Sequence, residues 1–244
     1  AKSSVRGVKA IIAVASGKGG VGKSTVTSNL AVTLANMGHK VGVLDADIYG
    51  PSVPMMFGLQ GESVTTQDEK TMEPMNQYGV ALNSIGFLVP TDKAAIWRGP
   101  MASKALMQVV NETNWPELDV LLVDMPPGTG DIHLSIMQSL PITGAVVVST
   151  PQEVALADAR KGIAMFAQDA IQVPVLGIIE NMSYFTPSEL PENKYYIFGE
   201  GGAKHLAERM GVALLGEIPL VQSVREAGDV GRPAALQDHT PVSE

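Results

Sequence analysis

The chain has 244 residues, a formal net charge of −8 and no cysteine. That length holds one large α/β domain or two small ones around a sizeable core. The absence of thiols excludes disulfides, thiolate metal sites and cysteine nucleophiles, and the acidic balance removes any overall field for nucleic acid or an anionic membrane. Hydrophobic residues make up 45% with 25 glycines and few aromatics, a balance that suits an α/β fold. No secretory leader and no apolar run of membrane-spanning length is visible, so a soluble, cytoplasmic protein is expected, with neither membrane nor nucleic acid as partner.

Residues 1–7 are polar and unpatterned and read as a lead-in or linker. Because the chain opens on Ala rather than Met, it is expected to be cut from a longer protein, with 8–244 as a single domain. An apolar run predicts a first strand over Val8–Ala15. A helical pattern follows from Lys23 to about Met37, with Gly38 just past its end. Between them lies Gly17-Lys18-Gly19-Gly20-Val21-Gly22-Lys23-Ser24-Thr25, which matches G-x-x-x-x-G-K-S/T from Gly17 to Ser24. Glycines let backbone N–H groups turn toward phosphate oxygens, and the helix N-terminus adds unpaired donors and partial positive charge. Lys23 is expected on the β- and γ-phosphates, the Ser24 hydroxyl on Mg²⁺ and Thr25 near the α-phosphate. Lys18 is an additional lysine that an ordinary loop of this kind does not need.

Val41–Leu44 reads as a short buried strand ending in Asp45-Ala46-Asp47. Acids at the carboxyl end of a strand stand where ligands gather in an open α/β sheet. Asp47 is the candidate for orienting the attacking water and supporting Mg²⁺, and Asp45 for holding Mg²⁺ through water. Residues from Gly61 to Tyr78 look like an exposed loop or a β-hairpin insertion, and Val80–Ile85 like another strand. Trp97-Arg98-Gly99-Pro100 precedes a helix from about Met101 to Asn111. An interface role for that pair and a plain surface role are equally open.

Leu118–Asp124 is an apolar strand ending in an acid, so Asp124 is placed to hold Mg²⁺ through water or to accept from Ser24. The loop Met125-Pro126-Pro127-Gly128-Thr129-Gly130-Asp131 gives D-x-x-x-G, with the Gly128 N–H aimed at a γ-phosphate and Asp131 read as the next helix cap. Further strands are expected at Gly144–Thr150, Pro174–Ile179 and Ala213–Pro219. Helices are expected at Glu153–Gln168, Glu200–Met210 and Val221–Ala227. Asn181, just past a strand end, offers donor and acceptor to an adenine edge. Repeated βα units with short loops predict an α/β fold: a mostly parallel twisted sheet with helices on both faces.

Taken together, S-G-K-G-G-V-G-K-S-T, L-D-A-D-I-Y-G-P-S, V-D-M-P-P-G-T-G-D and E-N-M-S-Y-F resemble the Mrp/ApbC family of MinD-like deviant-Walker P-loop ATPases, over Val8 to about Arg232. The resemblance implies a nitrogenase-iron-protein-like fold and an ATPase using ATP with Mg²⁺. It also implies a homodimer around the nucleotide, with Lys18 crossing to the partner's site, and a role in iron–sulfur cluster assembly or transfer to client proteins. One departure stands out. Where the family carries C-x-x-C after E-N-M-S-Y-F, spacing puts Pro187 and Leu190, so a bound iron–sulfur cluster is doubtful. A MinD/ParA-like positioning ATPase and a nucleotide-gated scaffold remain alternatives.

Overall fold

The computed structural model describes residues 5–66, 68–88, 100–221, 231 and 233–236. In chain order the elements are β1 (Val8–Ala15), α1 (Lys23–Asn36), β2 (Val41–Asp45), α2 (Val53–Met56), β3 (Thr65–Thr66) and β4 (Met72–Glu73). There follow β5 (Met75–Gln77), β6 (Val80–Ser84), α3 (Pro100–Asn111), β7 (Leu118–Asp124) and α4 (Asp131–Ser139). The last are β8 (Gly144–Ser149), α5 (Glu153–Phe166), β9 (Val175–Glu180), α6 (Gly202–Met210) and β10 (Ala213–Glu217).

Eight strands form one sheet in the order β10-β9-β8-β1-β7-β2-β6-β5, parallel except where β5 runs against β6. Strands buried on both faces need apolar residues at successive positions, and β2, β6 and β8 are buried throughout. The alternation of side chains divides the core. Leu121 and Val123 of β7 pack with α3, α4, α5 and α6, whereas Leu122 packs on the other face with Ala31 and Val32 of α1. Helices therefore cover both faces, as the sequence predicts.

Several details differ from the sequence reading. The Gly61–Tyr78 stretch contains the small antiparallel pair β3–β4, in keeping with the hairpin alternative, but its end, β5, joins the main sheet as an antiparallel edge. Asp131 is not the cap of α4. Gly130 holds that position without a side-chain bond, and Asp131 is the first helical residue, where its charge still complements the helix dipole. Residues 5–7 are already tied to the sheet, since Leu118 N–H donates to the Gly7 carbonyl. Trp97, Arg98 and the 222–227 part of the last predicted helix lie outside the described residues.

Parallel order brings the carboxyl ends of β1, β2, β7 and β9 to one rim, and the order reverses direction beside β1, where a crevice opens.

Candidate functional site

The loop between β1 and α1 is held from three sides. Val21 is buried among Val14, Val26, Val148 and Ala155. Asn181, at the end of β9, donates from Nδ2 to the Val21 carbonyl at 3.0 Å. Gly17 lies so close to α5 that a Cβ there would sit 2.0 Å from the Asp158 carbonyl. Gly20 and Gly22 both have φ near +79°, the left-handed region that favours glycine. Gly22 caps α1 with no side-chain bond, and no acid stands in the first turn. Among the described residues, no amide from Lys18 to Gly22 donates to a protein acceptor. These N–H groups and the helix end face a cleft of about 190 Å³ whose lining includes Lys18, Lys23, Ser24, Thr25 and Asp47.

Asp124 is the hub of the charged groups. Lys23 Nζ lies 2.6 Å from its Oδ1, and the Ser24 hydroxyl donates to its Oδ2 at 2.6 Å. Thr27, one turn further along α1, shares its hydroxyl proton between the Lys23 carbonyl at 2.9 Å and Asp124 Oδ1 at 3.0 Å. Asp47 Oδ2 is 3.6 Å from Lys23 Nζ, and its Oδ1 accepts from the N–H groups of Tyr49 and Gly50. Burial alone would discharge Lys23. The charges of Asp124 and then Asp47 outweigh that, and the ammonium is held above its ordinary value. Burial raises Asp47 above the usual carboxylate range, with Lys23 opposing.

Asp45 stands close enough for its charge to act on Lys23, but its hydrogen bonds go elsewhere. It is fully buried, its Oδ1 accepts from Asp47 N–H at 3.2 Å, and its Oδ2 accepts from the Ser84 hydroxyl at 2.9 Å and Val53 N–H at 3.3 Å. Both oxygens accept from the protein, so it braces the Asp47 turn against β6. Burial, followed by the nearby Asp124 charge, pushes its carboxyl well above the usual range.

The Gly128 N–H donates to the Ser16 carbonyl at 2.9 Å, which ties the D-x-x-x-G loop to the start of the phosphate-type loop. Lys18 is half-buried beside the exposed Gly19 and Gly20, at the outer lip. Sequence reasoning missed Thr27 and Ser84. Thr27 was accessible to it, standing four residues after Lys23 on the same helix face.

The oxygen donors Ser24, Asp124 and Asp47 are hard ligands crowded at a loop of free amides, which fits Mg²⁺ carried with phosphates. Among the described residues there is no cluster of three His, Cys, Asp or Glu that could hold a metal by themselves. An iron–sulfur cluster bound by this chain does not fit. The chain has no thiol, and Pro187 and Leu190, bridged by a Leu190 N–H to Pro187 carbonyl bond at 3.1 Å, carry no donor side chain. A larger groove of about 650 Å³ between α5 and α6 lies among Leu156, Arg160, Leu206 and Arg209, away from these groups.

This fold and this loop define a P-loop nucleoside-triphosphate-binding protein. The family model for NUBPL-type iron-transfer P-loop NTPases, within the ParA group, matches residues 7–244, and the chain belongs to that family. An iron–sulfur cluster carrier protein of Escherichia coli K12 is 56% identical over 240 residues, covering 98% of this chain. The chain spans 64% of that relative's length. Among solved structures, a nucleotide-binding protein from Archaeoglobus fulgidus in complex with ADP has a TM-score of 0.79 at 42% identity, covering 93% of this chain and 88% of its own. The septum site-determining protein MinD of Pyrococcus horikoshii, complexed with Mg-ADP, has a TM-score of 0.70 at 25% identity, covering 96% and 91%.

Proposed function

We propose that the chain binds ATP with Mg²⁺ and hydrolyses it slowly, as a homodimerising ATPase that serves iron–sulfur cluster assembly or transfer to client proteins. The observation that carries this reading is the convergence of Lys23, Ser24 and Asp124 within 2.6 Å contacts beside a loop of unengaged amides. Triphosphate and metal would replace the protein's own partners there. Lys23 would exchange Asp124 for β- and γ-phosphate oxygens. Ser24 would turn its oxygen to Mg²⁺, with Asp124 and Asp47 holding the ion's waters. Mg²⁺, when bound, neutralises charge on the phosphate oxygens.

In the reaction a water oxygen bonds to the γ-phosphorus as the bond to the β,γ-bridging oxygen breaks, and ADP and phosphate leave. Asp47 orients that water. Lys23 and the amides from Gly17 to Thr25 stabilise charge on the transferring group. Lys18 reaches the partner's nucleotide as a trans cation, the role that in arginine fingers is worth about 10³–10⁵ in rate. Gly128 N–H meets the γ-phosphate once it leaves the Ser16 carbonyl, and Asn181 keeps a second amide hydrogen for the adenine edge.

The cluster is cargo in this reading, with thiolates supplied by partner or client, because this chain has none. That same composition favours the second reading, a nucleotide-gated scaffold or positioning ATPase with no iron–sulfur role. Calorimetry of the folded protein with ATP and ADP, with and without Mg²⁺, tests the first claim. Saturable, magnesium-enhanced binding is expected, and no uptake of either nucleotide would sink it. Anaerobic transfer assays with a cysteine-bearing carrier partner separate the two readings. ATP-dependent delivery to an apo-client supports the first, and delivery by the carrier that this chain and ATP leave unchanged supports the second.

A further inference from the structure

His133 stands in the first turn of α4 with its ring 1% exposed, and it takes no part in the site described above. Its Nε2 lies 2.7 Å from the Pro126 carbonyl and its Nδ1 3.1 Å from the Gly130 carbonyl. A ring nitrogen serves a carbonyl only where it carries a proton, so the partners of each oxygen decide which nitrogen must donate. The Gly130 carbonyl already receives the His133 main-chain N–H at 3.1 Å. Pro126 is buried, and among the described residues no other donor reaches its carbonyl. The short contact therefore belongs to Nε2–H, and removing it would leave a buried carbonyl without a partner.

The loop after β7 thus has two ties. One runs from Gly128 N–H to Ser16, and it must open before that N–H meets a terminal phosphate. The other, two residues earlier, joins Pro126 to His133 and involves no group the nucleotide needs. When the first opens, the second remains as a pivot. Gly128 itself sits in the left-handed region, at φ +93°, and no atom lies within 4 Å of where a Cβ would stand, so no side chain crowds it.

We propose that His133 is a positioning residue: its Nε2–H holds the Pro126 carbonyl as the fixed point from which the Gly128 N–H is presented to the γ-phosphate. This rests on the ATP reading above. It follows that losing the tie should weaken binding of a triphosphate while leaving a diphosphate, which Gly128 does not touch, unaffected.

The test compares calorimetric affinities for ADP and for a slowly hydrolysed ATP analogue across wild type, His133→Gln, His133→Asn and His133→Leu. A Gln amide reaches the position of Nε2, whereas an Asn amide stops near that of Nδ1. Leu and Asn should each bind the triphosphate about tenfold more weakly, the scale of one lost hydrogen bond, with ADP within twofold of wild type. Gln should restore the wild-type ratio. Equal losses for both nucleotides, or no change in a folded Leu variant, overturn the assignment. If Leu does not fold, Asn and Gln decide, and identical ratios for the two overturn it. Wild type that binds neither nucleotide overturns the ATP reading itself.

Discussion

Lys23 keeps its charge in the interior because Asp124, Asp47 and Asp45 stand around it, and the three acids share the cost unequally. Asp124 spends its oxygens on Lys23, Ser24 and Thr27. Asp45, bound only to Ser84 and two N–H groups, has its carboxyl raised by burial and by Asp124. A raised acid binds its proton more tightly folded than unfolded. Between the ordinary carboxylate value and the raised one, the native state therefore holds the extra proton, and stability falls as pH climbs through that window. In nucleotide- and magnesium-free protein, chemical unfolding from pH 4 upward should show this decline, at most about 1.4 kcal/mol per pH unit from one group. Asp45→Asn loses stability at every pH by removing an acceptor, yet its slope should be flatter. A slope equal to wild type means Asp45 is not the titrating group. Asp47 carries a different prediction. Asp47→Ala should still bind ATP, with a smaller enhancement by Mg²⁺, and slow single-turnover hydrolysis about a hundredfold, within the range for positioned water activation. Unchanged hydrolysis removes Asp47 from the mechanism.

The β1–α1 loop depends on elements that are distant in sequence, and this sets what could be read from the sequence. Gly17 to Ser24 is one contiguous motif, so its glycines, Lys23 and Ser24 were legible at once. Asp124 was legible because an apolar strand delivers its last residue to the rim. Asn181 against Val21 was not, being a contact across 160 positions that follows only from β9 standing beside β8. The same holds for Ser84 on Asp45, which needs β6 registered on β2, and for His133 on Pro126, which needs the angle at which α4 leaves its loop. The antiparallel edge β5 was hidden because three residues carry too little periodicity to show a direction. The Gly22–Asn181 contact is testable as a pair. A methyl at Gly22 would meet Asn181 Nδ2 at 2.3 Å and suffer the +79° φ. Gly22→Ala should cost about 2 kcal/mol from left-handed strain and lost contact, and Asn181→Ala about 1 kcal/mol. Since the first already breaks the second's bond, the double variant should fall short of the sum by about 1 kcal/mol. Strict additivity in urea unfolding would mean the clamp is absent.

At the scale of the molecule, the sheet gathers the charged centre at one rim and leaves Lys18, Gly19 and Gly20 at its outer edge. Lys18 makes no ion pair among the described residues and stands at the lip of the cleft that Lys23 lines. An acidic chain of net charge −8 repels its own copy, so association needs something that offsets that charge at the contact. In the proposed dimer, a Lys18 from each copy, set against the other's triphosphate, would supply two such cross-contacts. Dimerisation should then depend on the triphosphate, weaken with salt and vanish without the lysine. Sedimentation velocity decides this in the slow-turnover Asp47→Ala background with Mg-ATP. The dimer should form with ATP and not with ADP, and Lys18→Ala should remain monomeric at concentrations where Lys18→Arg still associates. A Lys18→Ala chain that dimerises as well as its parent would place the lysine on a solvated loop and leave each nucleotide site to act alone.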